Sequence, residues 1–249
     1  MKVLLVLAHP EPESFNGALF ATARATLEVH GHEVMLSDLY AMEWKAVADG
    51  KDFPRERAAG QRFALDSEQL YAHQTGTTSV DIVAEQQKIQ RADLIVFHYP
   101  MWWFMPPAIL KGWFDRVFTK GFAYVSGRKY DSGLLSGKVA MVTITTGTSA
   151  GTYAPDGVDG ALLDILWPMH NGVLRYTGFD VLEPFVVHAP GAMSPEERHV
   201  ALGRYAEVLG TIGTRPRLFF HPAKDYGDDE RLLPDVEPRS GFQHRSDGT

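Results

Sequence analysis

Three short stretches carry the residue types that a binding site needs. In 9-HPEPESFNG-17, His9, Ser14, Phe15 and Asn16 share one loop ahead of a helix. Hydroxyl and amide groups supply neutral donors, and imidazole a neutral or cationic one. Such a loop suits an anion, because the first N–H groups of a helix lack partners and its dipole is positive there. Glu11 and Glu13 count against a bare phosphate, and helix capping by Ser14 or Asn16 is the competing reading. In the second stretch, Met101, Trp102, Trp103 and Phe104 follow a strand end. Flat rings there suit a flat ligand, with core packing or an interface as the alternative. In the third, 145-TTGTSAGTY-153, Thr145, Thr146, Gly147 and Thr148 offer hydroxyls and N–H groups for the edge of a heteroaromatic ring, or form a simple turn.

Other chemistries are excluded by what the chain lacks. Cysteine is absent, which removes disulfides, thiolate metal sites and thiol nucleophiles, and agrees with a reducing compartment. Redox chemistry must then come from a cofactor. GxGxxG, GxxxxGK[ST] and GxSxG are missing, so neither a dinucleotide fingerprint, a P-loop nor a nucleophile elbow is present. HExxH and EF-hand patterns are missing too, and His98, His170, His188, His221 and His244 are scattered, which predicts surface or satisfied core histidines and no metal. Asp228 and Asp229 read as a solvated face. A formal charge of -7 gives no basic footprint for nucleic acid. No run approaches the roughly 18 apolar residues of a membrane span, and MKVLLVLAHP lacks the features of a signal peptide. The expectation is a cytoplasmic protein.

The elements that must position the three stretches alternate. Residues 2-KVLLVLA-8 form a strand apolar on both faces, Ala18 to His30 a helix stopped at Gly31, and 33-EVMLSDLY-40 a strand. The pattern continues with a helix over 80–93, a strand over 94–100, a helix over 106–118 and a strand over 138–147. It ends with a helix over 158–178 interrupted at Pro168, a strand over 179–188 and a capped helix over 194–213. Repeated βα alternation predicts a doubly wound open parallel sheet with helices on both faces and ligands outside the carboxyl ends of its strands. Residues 1–213 form this domain and 214–249 a polar C-terminal extension. A long insertion over 49–78 does not fit the alternation and suits binding, assembly or disorder.

LAHPEPESFN, SDLYAM, DIVAEQQKIQRADLIVF, PAILKGWFDRVF, ITTG and ILWPMHNGVLRYTGF together resemble the NAD(P)H:quinone oxidoreductase (DT-diaphorase) family of the flavodoxin-like fold, over roughly the first 210 residues. The resemblance implies FAD rather than FMN, and NAD(P)H as co-substrate. It also implies ping-pong two-electron hydride reduction of a quinone or similar small aromatic acceptor, in a homodimer with its site at the interface. By position, His9, Ser14, Phe15 and Asn16 are implied on the diphosphate side, and Met101, Trp102, Trp103 and Phe104 along the flavin ring. Thr145, Thr146, Gly147 and Thr148 are implied at its pyrimidine edge, Arg198 near the adenine, and Tyr124 with Trp103 and Phe104 in the substrate pocket. The alternative is a non-catalytic subunit of the same fold that binds a partner protein.

Two positions depart from the family pattern. The family's tyrosine and the histidine six residues after it share the stabilisation of the reduced flavin; here they are Tyr153 and Asp159. A carboxylate opposes an anion there, which implies slower flavin reduction than in histidine-bearing relatives unless Asp159 orients Tyr153 or turns to solvent. Thr148 stands where a glycine is familiar, and close backbone approach is expected to be harder.

Overall fold

Apolar runs without alternation fold as strands buried on both faces, and β1 (Lys2–Leu7) and β3 (Leu94–Pro100) are such strands, the second buried at every residue. The computed structural model describes residues 1–56, 60–239, 242 and 243. The strands β1, β2 (Glu33–Asp38), β3, β4 (Val139–Thr146) and β5 (Asp180–Val181) lie in the order 2-1-3-4-5, every pairing parallel. A sixth strand, β6 (Phe185–His188), also pairs with β4. The expected doubly wound sheet is therefore present, with its order reversing between β1 and β3.

Helices cover both faces. On one side α1 (Phe15–Val29) and the last helix, α6 (Pro195–Gly210), enclose Val3, Leu5, Val96, Leu27 and Leu209. Ser194 and Glu197 cap α6 reciprocally. On the other side α3 (Val80–Arg91) and α4 (Ala108–Val117) bury Phe97, Trp113, Phe114 and Ile89. Gly112 lets α4 approach the chain at Ala46, where a Cβ would stand 2.0 Å from a backbone oxygen.

Four stretches differ from the sequence expectation. The single strand over 179–188 is two short ones, because Pro184 has no N–H for the ladder. The helix over 158–178 is reduced to α5 (Leu162–Ile165) followed by a π-helical segment, Pro168–Arg175. Pro168 cannot donate back along the helix, and the chain resumes with wider bonds such as Tyr176 N–H to Asn171 O. The insertion over 49–78 contains α2 (Leu65–Thr75) and sends Asp52 and Phe53 into the interior; its residues 57–59 lie outside the described residues. The extension from 214 is joined to the sheet: Leu218 N–H donates to Val181 O at 2.8 Å and Leu182 bridges Arg217.

Polar groups inside the fold are tied together. Glu85, fully buried, accepts from Ser37 Oγ (2.7 Å), Trp113 Nε1 (2.9 Å) and Lys88 Nζ (2.6 Å), joining β2, α3 and α4. His98 Nδ1 lies 3.3 Å from the Val6 carbonyl and Nε2 lies 2.8 Å from Tyr205 Oη, which is 2.9 Å from Thr143 Oγ1. A carbonyl only accepts, so Nδ1 carries the proton and Nε2 accepts from the tyrosine. Burial pushes His98 down to about 4, and His170 likewise. Between the ordinary histidine value of 6.5 and about 4, the unfolded chain takes up protons that the folded chain refuses. Stability is full above the ordinary value and is lost as pH falls toward 4. At about pH 5 the expected loss is about 2 kcal/mol per histidine relative to neutral pH. Urea unfolding at the two pH values measures it, and equal unfolding free energies would contradict it. Among the described residues no helix is long and apolar enough to cross a membrane.

Candidate active site

The parallel register brings four strand ends to one edge. Ala8 N–H donates to His98 O (2.9 Å), Met101 N–H to Thr145 O (2.8 Å) and Ala189 N–H to Thr146 O (2.9 Å). The loops after β1, β3, β4 and β6 therefore emerge side by side, and the first two flank the point where the strand order reverses.

In the first loop, Ser14 caps α1 by accepting from Gly17 N–H at 3.1 Å. Asn16 is in the first turn and does not cap. Its Nδ2 donates to Thr145 Oγ1 at 2.8 Å, and its buried Oδ1 has no partner among the described residues. The bond ties the first loop to the third. Phe15 packs against the core under α1, so its backbone alone is placed for the site. His9 Nδ1 lies 3.0 Å from both the backbone N–H and the carbonyl of Glu11, which fastens the ring to its own loop. The His9 ring lies 6.2 Å from that of Trp102, linking the first loop to the second. Gly17 has no room for a side chain: a Cβ would stand 2.0 Å from Pro12 O.

The second loop is strained. Trp103 (φ 51) and Phe104 (φ 61) both adopt left-handed backbone, and Trp102 and Met105 exchange both N–H···O bonds at 3.0 Å. Positive φ at both central residues is the geometry of a type I′ turn, which Asn-Gly ordinarily occupies. Aromatic residues there cost on the order of 1–2 kcal/mol each. Met101 is buried, whereas Trp102 and Phe104 are exposed and Trp103 is 93% exposed. The core reading of this run thus holds for Met101 alone, and the rings form an apolar surface above the sheet edge.

In the third loop, space is open above Gly147, and Thr146 Oγ1 donates to Thr148 O at 2.9 Å. Thr148 is outside the left-handed region, so its side chain brings no backbone penalty there. The Tyr153 ring stacks on His188 at 5.6 Å and 25°. Asp159 joins this loop through its backbone, N–H to Thr152 O at 3.1 Å, and forms no side-chain bond with Tyr153. Of the two possibilities for Asp159, orienting Tyr153 by a hydrogen bond is not the arrangement found.

Two expected residues stand apart from this cluster. Arg198, in the first turn of α6, donates from Nε to Pro190 O at 3.0 Å, which fastens the loop after β6. Tyr124 lies in the α4–β4 connection against Tyr176, ring centroids 5.8 Å apart, in a groove of about 470 Å³ between α2, α4 and the π-helical segment. In sequence His188 reads as one more scattered histidine. It ends the strand beside β4, so the rule that ligands bind at carboxyl ends was signal enough to find it. Among the described residues no group of three or more histidine, cysteine, aspartate or glutamate side chains is placed to hold a metal ion.

An all-parallel 2-1-3-4-5 sheet with polar and aromatic loops at its reversal point defines a flavodoxin-like α/β protein. Residues 1–209 match the family described as having the flavodoxin-like fold. The chain is 41% identical over 222 residues to NAD(P)H dehydrogenase (quinone) 1 of Rattus norvegicus, covering 89% of this chain and 81% of that protein. It is 43% identical over 211 residues to the ribosyldihydronicotinamide dehydrogenase (quinone) of Homo sapiens, covering 85% and 91%. A solved structure of a candidate quinone reductase from Klebsiella pneumoniae superposes with a TM-score of 0.92 at 41% identity, covering 97% of each chain. The chain belongs to the NAD(P)H:quinone oxidoreductase family.

Proposed function

We propose that this protein is a flavin-dependent NAD(P)H:quinone oxidoreductase that holds FAD at the reversal point and reduces quinones by two electrons in a ping-pong cycle. The carrying observation is the convergence of three loops through the Asn16–Thr145 bond and the His9–Trp102 contact.

The residues fit a flavin. The buried Asn16 Oδ1 awaits a donor, the open space at Gly147 lets a ring edge approach the backbone, and exposed aromatic side chains stand in the second loop. On this reading the start of α1, Ser14 and the His9 ring hold the diphosphate, the helix dipole favouring its charge. Met101 to Phe104 flank the ring, and Thr145 to Thr148 bond its polar edge. The loop fastened by Arg198 extends the site beyond the first loop, and a dinucleotide uses that length better than FMN. When bound, the flavin supplies hydride acceptance and donation. The chain's task is to orient the nicotinamide and then the quinone over one face and to keep donors aimed at the edge where charge accumulates. Exposed Trp103 and the placement of Tyr124 in a separate groove support a homodimer in which a second copy covers the rings and contributes a Tyr124.

The test is an anaerobic visible spectrum of the purified protein, reconstituted with FAD, before and after NADPH. Bound-flavin bands that bleach on NADPH and return on adding a quinone are expected. Absence of flavin bands after reconstitution would defeat the reading.

A further inference from the structure

The loop at the polar edge is held by a residue on a neighbouring strand. β4 and β6 run parallel with Thr146 opposite His188, so the last residues of the two strands share a face. Thr146 Oγ1 donates to the Thr148 carbonyl at 2.9 Å and lies 2.9 Å from His188 Nδ1. A hydroxyl has one proton, and this one is committed to the carbonyl. The Thr146 oxygen must then accept from His188, which fixes the proton of the imidazole on Nδ1. Nε2 has no hydrogen-bond partner among the described residues. The face of the same ring lies on Tyr153, whose hydroxyl lacks a hydrogen-bond partner among the described residues. Burial holds His188 below the usual histidine value, so the neutral tautomer is the form that matters near neutral pH.

We propose that His188 is the positioning residue for the polar edge of the site. Its Nδ1 proton sets the 146–148 backbone through Thr146, and its face sets the ring of Tyr153. The inference deepens the flavoenzyme reading and rests on it. It also gives Tyr153 a histidine partner, while Asp159 makes no bond to it.

Three variants separate the two halves of this role. His188→Phe keeps a ring for Tyr153 and removes the donor, His188→Asn keeps a donor near the Nδ1 position and removes the ring, and Thr146→Val breaks the relay. FAD dissociation constants, measured by fluorescence quenching on the full chain, are expected to rise about tenfold for His188→Phe and Thr146→Val. The double variant should be no worse than either single one, since both remove one chain of bonds. His188→Asn is expected to recover most of the affinity while altering the bound-flavin spectrum through Tyr153. A readout independent of flavin is the 15N spectrum of the His188 ring in the apoprotein, expected to show the Nδ1-protonated tautomer. An Nε2-protonated ring, additive losses in the double variant, or wild-type affinity and spectrum in His188→Phe would each overturn the inference alone. If the wild-type chain itself binds no FAD, the functional reading fails and this inference with it. Should His188→Phe not fold, the tautomer and Thr146→Val still decide.

Discussion

Replacing Arg116 with alanine is expected to destabilise the protein by about 3–5 kcal/mol, measured as the loss of unfolding free energy in urea. Arg116 lies on α4 with its side chain almost wholly buried. It donates from Nη2 to Asp52 Oδ1 at 2.9 Å and to Asp81 Oδ2 at 2.6 Å, from Nε to Asp52 Oδ2 at 3.2 Å and from Nη1 to the Lys45 carbonyl at 3.1 Å. Its guanidinium also lies over the Trp44 ring at 4.5 Å. Burial by itself raises the pKa of Asp52, but bonds from Arg116 and Lys45 outweigh it and bring the carboxyl below its usual value. Without the guanidinium a buried carboxylate keeps only Lys45 and the Asp49 N–H. The pair need not be worth that much in itself, because the cost lies in stranding one partner. Removing both charges with Asp52→Asn in the Arg116→Met background should therefore recover part of the loss. A single-variant loss below about 1 kcal/mol would show the network to be dispensable.

Gly17→Ala is expected to lower the rate of flavin reduction by NADPH about 100-fold and to weaken flavin binding, while unfolding remains cooperative. The added Cβ would stand 2.0 Å from Pro12 O and 2.9 Å from Pro12 C. Both are backbone atoms, so no rotamer relieves the overlap, and the loop 9–14 must move away from α1 by about an ångström. That displaces Ser14 and His9, and it drags on Asn16, whose bond to Thr145 aligns the first loop with the third. Overpacking of this size costs about 1–3 kcal/mol of stability. Stopped-flow reduction and a flavin titration read the two effects. Unchanged affinity would remove the first loop from the flavin site.

The strands were legible because those buried in a parallel sheet announce themselves as continuous apolar runs, as in 2-KVLLVLA-8 and 94-LIVFHYP-100. The start of α6 was legible at its cap, Ser194, whereas α1 begins at Phe15, ahead of the expected Ala18, with Ser14 as its cap. Pro184 and Pro168 were visible too, yet periodicity does not say whether a proline merely interrupts an element or changes its type. The strand divided and the helix widened into a π segment. The insertion hid its role for a different reason. Asp52 looks like a surface aspartate in sequence, and only the approach of Arg116, 64 residues away, makes it an interior one.

By itself the sequence determined the fold class, the strand ends where a candidate site was sought and the donor types present there, because these follow from local patterns of hydrophobicity, capping and side-chain chemistry. It also excluded thiol chemistry outright. The tertiary structure decided what depends on distance between segments remote in the chain. It separated Ser14, which caps, from Asn16, which bonds to Thr145, and set Trp103 and Phe104 in a turn that their side chains disfavour. It left Asp159 without a bond to Tyr153 and set His188 against that ring. A side chain's type fixes which bonds it can make. Which bond it does make is fixed by whatever the packing of the sheet brings within 3 Å of it.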